Sequence, residues 1–208
     1  MTVISDDAFV RLFQARAGLN PVDGWAGKDT LAKLDEVYPP PVPPPSIADA
    51  IPNDYWPMLS KIESGDKLYA LPPINPKTGY PYSSASGLYQ FIKSTWEGEG
   101  GRWGTDRFKA FGGLQPSAGE QLQRAKSFTA KNAAYLKRQG IPINRASLYA
   151  AHFFGVLTAA RIIDADVHQR GDLIAGEAAT NANPSILRGK TVGQFLGWLH
   201  GKTGEWAR

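Results

Sequence analysis

Glu63-Ser64-Gly65 is followed, after a loop, by Ser84-Ala85-Ser86-Gly87-Leu88-Tyr89-Gln90-Phe91. An acidic side chain near a helix end, facing a Gly-Leu-Tyr-Gln turn, provides what cutting a glycosidic bond requires. The carboxyl group can give a proton to the leaving oxygen, while an amide and an aromatic ring hold a sugar beside it. Glu63 lies four residues after Leu59, at the edge of the apolar face of one helix. Desolvation at the rim of a core favours the protonated form, which is the form a general acid needs. A glutamate at a helix end is ordinarily a solvated surface group, so the weight rests on several segments occurring in order.

The elements that must position these groups read as helices. Asn53 or Asp54 is placed to cap a helix carrying Tyr55, Leu59 and Ile62 on one face. Leu88, Phe91, Ile92 and Thr95 mark the next helix, and Ala125, Phe128, Ala133 and Leu136 a longer one closed by Gly140 and Pro142. Asn144 is placed to cap a helix containing Leu148, Ala151 and His152, and Thr191 with Gln194 has the form of a capping box. Alternating patterns are scarce. The stretch from Leu68 to Ser86, rich in Pro, Gly and Tyr, is the place for a short hairpin. The expectation is a mainly α domain with a minor β flap.

A run of prolines divides the chain, with a stiff polyproline linker expected over 39–46. Residues 47–208 are of ordinary domain size, while 1–38 read as helix, turn, helix, with Gly18 ending the first helix and Asp23-Gly24-Trp25-Ala26-Gly27 forming the turn. Two helices this short bury little core.

Glu63-Ser64-Gly65, then Ala85-Ser86-Gly87-Leu88-Tyr89-Gln90-Phe91 with Thr95-Trp96, resembles the catalytic core of soluble lytic transglycosylases and is similar to the related goose-type lysozymes. The third segment of that family, Ala-Tyr-Asn-x-Gly, has its counterpart in Ala151-His152-Phe153-Phe154-Gly155, with Asn183-Pro184 later, in a form that looks closer to phage and prophage lysins. The resemblance runs in order over roughly 51–200 and implies a lysozyme-like helical domain. Glu63 would protonate the bond between N-acetylmuramic acid and N-acetylglucosamine, then act as base toward the muramic acid's own 6-hydroxyl, closing a 1,6-anhydro ring. One carboxylate suffices for that reaction, because no second acid is needed to activate water. Gln90 would bind a sugar or its acetamido group, Ser64 or Ser84 would help orient it, and Tyr89 would offer an aromatic wall. Tyr149 and His152 complete the expected substrate-binding set. Residues 13–34, through Phe13-Gln14, Gly18-Leu19, Asp23-Gly24-Trp25, Gly27 and Thr30, resemble the latter part of a peptidoglycan-binding helical repeat whose first helix is missing.

Two features depart from the family pattern. The interval between Glu63 and Gln90 is long, with the insert from Leu71 to Tyr82 either bordering a cleft or forming a surface loop. His152 stands in place of a phenol, and a histidine in the site would make activity depend on pH near its titration. A hydrolytic muramidase is the alternative reading. It would need a second carboxylate, for which Asp66, Glu97, Glu99 and Asp106 are the candidates. A wall-binding or virion structural protein with a spent site is a further alternative.

The totals exclude several other classes. The formal net charge is +4 with the basic residues scattered, which argues against a nucleic-acid partner. Cysteine is absent, so thiol and disulfide chemistry are excluded, and His152, His168 and His200 are not in metal-ligand spacing. No cofactor or metal is expected, no stretch reaches membrane-spanning length, and a monomer is the default. The acidic opening Met1-Thr2-Val3-Ile4-Ser5-Asp6-Asp7 is unlike a secretory signal. The expected setting is therefore synthesis in a host cytoplasm and access to peptidoglycan glycan strands through a holin pore or from a virion.

Overall fold

The computed structural model describes residues 4–38 and 46–208. The chain divides into two compact units, Met1–Pro44 and Pro45–Arg208. The polyproline linker expected over 39–46 lies, apart from Ser46, outside the described residues.

In the smaller unit, α1 (Asp6–Arg16) and α2 (Lys28–Val37) flank a turn. Gly18 follows α1 with φ of 69°, a left-handed conformation that glycine adopts without steric cost. The unit is organised around a polar side chain. Gln14, 2% exposed, donates from Nε2 to Asp23 Oδ1, the Trp25 carbonyl and Thr30 Oγ1, and accepts from the Gly24 amide. Asp23 braces the turn by also accepting from the Trp25 amide. Phe9, Leu12, Trp25 and Leu31 remain exposed, in keeping with how little two short helices bury.

The larger unit is mainly helical, as its sequence pattern requires. Its helices are α3 (Tyr55–Ser64), α4 (Lys93–Gly98), α5 (Ala118–Arg138), α6 (Arg145–Phe154), α7 (Val156–Asp164), α8 (Gly171–Ala175), α9 (Glu177–Ala182), α10 (Pro184–Leu187) and α11 (Val192–Thr203). α6 is the axis of the core. Asn144 and Ser147 form a reciprocal capping box at its start, and every residue from Ala146 to Ala151 is buried. It packs against α5, α7 and α11. Gly155, with φ of 78°, alone separates α6 from α7, a positive-φ conformation that breaks the helix between them. Thr191 and Gln194 form the second capping box, on α11. Around α6 lie Tyr55 and Leu59 of α3, Leu136 of α5, Ile162 and Ile163 of α7, and Phe195 and Leu199 of α11.

Three local expectations are corrected. The β flap is not formed: among the described residues of 68–86 the pairing is limited to isolated bridges, Ile74 with Pro81 and Ser86 with Phe91. Pro72, Pro73, Pro76 and Pro81 have no amide hydrogen, so a ladder cannot propagate through them. What survives is a turn in which Asn75 N donates to the Tyr80 carbonyl and Tyr82 N to the Pro73 carbonyl. The helix expected from Leu88 begins at Lys93, because Gly87 and Gln90 both have positive φ and cannot belong to a right-handed helix. Asp54 occupies the position before α3 but makes no capping bond; its carboxylate pairs instead with Arg145 at 3.0 Å.

Candidate active site

Glu63 sits in the last turn of α3, which Gly65 closes in the left-handed conformation at φ of 59°. The helix buries Tyr55 and Leu59 and turns Glu63, two turns on from Tyr55, to the boundary between core and cleft. The cleft is about 850 Å³ in volume, and Glu63 is the one carboxylic acid among the described residues that line it. Burial pushes the Glu63 pKa up from 4.5 to about 7, while the Tyr149 phenol and the Lys202 cation pull the other way. Its Oε1 is buried without a hydrogen-bond partner, and so is the Tyr55 hydroxyl behind it. Near neutral pH a substantial share of the molecules thus carries a proton on Glu63, as a general acid requires.

The Ser86–Phe91 turn contributes Gln90 and Phe91 to the same lining. Ser86 N donates to the Phe91 carbonyl and Phe91 N to the Ser86 carbonyl, closing the turn on itself. Gly87 N donates to the Ala70 carbonyl, and the turn is stapled to α5 by Gln121. That side chain, 1% exposed, accepts from Leu88 N and donates to the carbonyls of Leu68 and Pro116. At Gly87, φ of 76° and the proximity of Gln121 and Phe111 leave no room for a side chain. Gln90 lines the cleft and spends its amide hydrogens on backbone carbonyls, Gly87 O at 3.0 Å within the turn and Ala70 O at 3.4 Å outside it. The free group is its carbonyl oxygen, an acceptor matched to an acetamido N–H or a hydroxyl.

His152 also lines the cleft, edge-on to Phe91 and Phe128. Its Nε2 lies 2.9 Å from the Tyr89 carbonyl, which can only accept, so Nε2 carries the proton and Nδ1 the lone pair. Nδ1 is buried and has no partner. Burial lowers the His152 pKa from 6.5 to about 4, against the opposing effect of the Tyr89 bond. The expected titration near neutral pH is therefore moved to acid pH: desolvation disfavours the cationic form, and near neutral pH His152 is a neutral ring whose Nδ1 is shielded from solvent.

The remaining expected residues divide. Tyr89 is 5% exposed and packed in the core, so it is not a sugar-facing wall; its backbone carbonyl instead fixes His152. Ser64 donates back to the Ser60 carbonyl within α3 and does not line the cleft. Tyr149, 2% exposed, is also outside the lining, and its phenol lowers the Glu63 pKa against the effect of burial. Ser84 is exposed, accepts from Lys93 N, and faces a different depression.

Phe153 and Phe154 line the cleft as apolar walls. Asn183 lines it as well, and the insert contributes Pro72 and Tyr82, so the insert borders the cleft. Sequence reasoning missed Tyr55, visible only as a residue on the apolar face, and Gln121, two of whose three backbone partners, Leu68 and Leu88, are far away in sequence. The four acidic candidates for a second carboxylate all lie outside the lining. Asp66 bonds to Ser60, Glu99 pairs with Lys131 at 2.8 Å, Asp106 pairs with Lys109 at 3.4 Å, and Glu97 is exposed.

Compared with models of known protein families the chain matches none, and a search of curated proteins returns no match.

Proposed function

We propose that the larger unit is a lysozyme-like peptidoglycan lytic enzyme, cleaving the β-1,4 bond between N-acetylmuramic acid and N-acetylglucosamine by intramolecular transglycosylation. The observation that carries this reading is a single carboxyl group, held near pKa 7 by burial, in a cleft otherwise lined by uncharged side chains. Protonated Glu63 gives its proton to the glycosidic oxygen as the C1–O bond breaks. Glu63, now ionised, takes the proton of the muramic acid's 6-hydroxyl as O6 bonds to C1, which returns the enzyme to its starting state. The acceptor Gln90 Oε1 suits the N–H and O–H donors of an N-acetylated sugar, and Phe153, Phe154 and Tyr82 supply apolar surface for pyranose rings. Asp66, Glu97, Glu99 and Asp106 lie outside the cleft lining, which favours transglycosylation over a hydrolysis that needs a water-activating carboxylate opposite Glu63. The likeness of the third segment to phage and prophage lysins supports the same enzyme acting on the wall after passing a holin pore or from a virion.

Mass spectrometry of the fragments released from purified peptidoglycan tests the proposal. Muropeptides with 1,6-anhydro ends, one water lighter than hydrolytic products, are expected. Reducing ends would overturn transglycosylation in favour of a muramidase, and the absence of fragments would overturn the enzymatic reading.

A further inference from the structure

A second depression of about 560 Å³ adjoins the cleft, with Ser83 as their common wall. The intervening segment serves both sides: Tyr82 and Ala85 face the cleft, while Tyr80, Pro81 and Ser84 face the depression. The same division recurs at the start of α4, where Ile92 lines the cleft and Lys93 the depression.

The two cavities differ sharply in charge. The cleft lining contains Glu63 and no Lys or Arg, whereas the depression is lined by Lys93, Arg107 and Lys109 and by no acidic residue. Lys109 is partly neutralised by Asp106 at 3.4 Å. Among the described residues neither Lys93 nor Arg107 takes part in an ion pair. The Arg107 guanidinium lies over the Tyr80 ring, 4.5 Å from its centroid, and Tyr80 in turn lies against Phe108. Stacking occupies the face of the guanidinium and leaves its edge N–H groups free for a planar anion. The hydroxyls of Ser84 and Thr105 add neutral polar groups beside these cations.

We propose that this depression is a subsite for the carboxylate-bearing stem peptide that muramic acid carries on its lactyl group, an inference that rests on the reading of the cleft as a glycan site. A neutral sugar has no use for two unpaired cations, but a peptide branching from it past Ser83 brings carboxylates into their reach. Lys93 and Arg107 then determine specificity for peptide-substituted strands, and they do so without touching the bond that breaks.

The test compares peptide-bearing glycan strands with strands freed of peptide by an amidase and then amidated at the lactyl carboxylate which that cut leaves, both stripped of phosphate polymers so that teichoic phosphate cannot supply the anion. Full-length Glu63→Gln protein, whose turnover is too slow to degrade the strands during the measurement, is expected to be retained about tenfold more tightly on the peptide-bearing strands, the gain that two partly exposed charge-assisted contacts support. Adding Lys93→Gln and Arg107→Gln should abolish that preference and its salt dependence, with the thermal unfolding temperature unchanged because both side chains are exposed. Equal retention of the two glycans, or a preference that survives loss of both cations, would overturn the subsite. A free anion site for phosphate would show instead as tenfold tighter retention restored only when phosphate polymers are left on the wall, which also overturns it. Failure of the wild-type protein to release fragments from either glycan would refute the activity of the cleft, and the retention measurement remains decisive for the subsite.

Discussion

Replacing Glu63 by Gln removes the proton that the proposed reaction transfers and also relieves the fold of a carboxylate that burial makes costly to ionise. Burial raises the Glu63 pKa from 4.5 to about 7. The folded-state value lies above the unfolded one, so the protein is free of the cost below the unfolded value. The cost grows as the pH rises between the two and is complete above about 7. At about 1.4 kcal/mol for each pH unit between them, the ionised side chain takes roughly 3 kcal/mol from stability at alkaline pH, reduced to about 2 kcal/mol by solvent screening at the mouth of the cleft. Gln is neutral throughout. The stability of Glu63→Gln relative to wild type should therefore rise by about 2–3 kcal/mol between about pH 4 and about pH 8. The cost of packing an amide in place of a carboxyl is the same at every pH and drops out of that difference. Urea unfolding followed by tryptophan fluorescence at a series of pH values measures it, and lysis of peptidoglycan by the same preparations should fall by about 10²–10⁴-fold. A stability difference that does not vary with pH would refute the buried-acid argument, and undiminished lysis would refute Glu63 as the acid.

Three further outcomes are expected. Tyr149→Phe removes a group that lowers the Glu63 pKa, so the alkaline limb of the pH–rate profile should move to higher pH; a shift to lower pH would contradict the placement of that phenol. The His152 ring should keep the Nε2–H neutral pattern in nitrogen-15 NMR from about pH 8 down to about pH 5, since its pKa is lowered to about 4. A protonation step near neutral pH in that resonance would show that the ring is not desolvated. Gly87→Ala forces a side chain against Phe111 and Gln121 in a left-handed backbone, and chemical unfolding should show a loss of about 2–4 kcal/mol with the Gln90 wall displaced; a loss below about 0.5 kcal/mol would show that the turn is not so constrained.

Much of the helical architecture is legible without coordinates because it rests on local rules. Asn144, Thr191 and Gln194 announce their caps, Gly18 and Gly140 their stops, and the spacing of Tyr55, Leu59 and Glu63 fixes that these three share a face of α3. The same spacing shows why a carboxyl at position 63 stands at the rim of a core. The Pro-rich insert and the turn before α4 were less legible. Hydropathy does not register that Pro72, Pro73, Pro76 and Pro81 withhold ladder donors, nor that Gln90 takes a positive φ.

The order of Glu63, the Gly87–Gln90 turn and the segment around His152 is a property of the chain, and Glu63, Gln90 and His152 all line the one cleft. Which atoms they present was decided by tertiary contacts. Tyr89 turns its ring into the core and gives His152 a carbonyl, which fixes the tautomer of that histidine and leaves Nδ1 as an acceptor. Gln121 reaches from α5 to hold the turn at Leu88, 33 positions away. The displacement of the Glu63 pKa depends on how completely α3, α6 and α11 exclude water around one carboxyl, a quantity set by the packing of distant segments. Sequence determines which groups are available and which helix face carries them; desolvation and hydrogen-bond partners, which require the folded chain, determine what those groups can do.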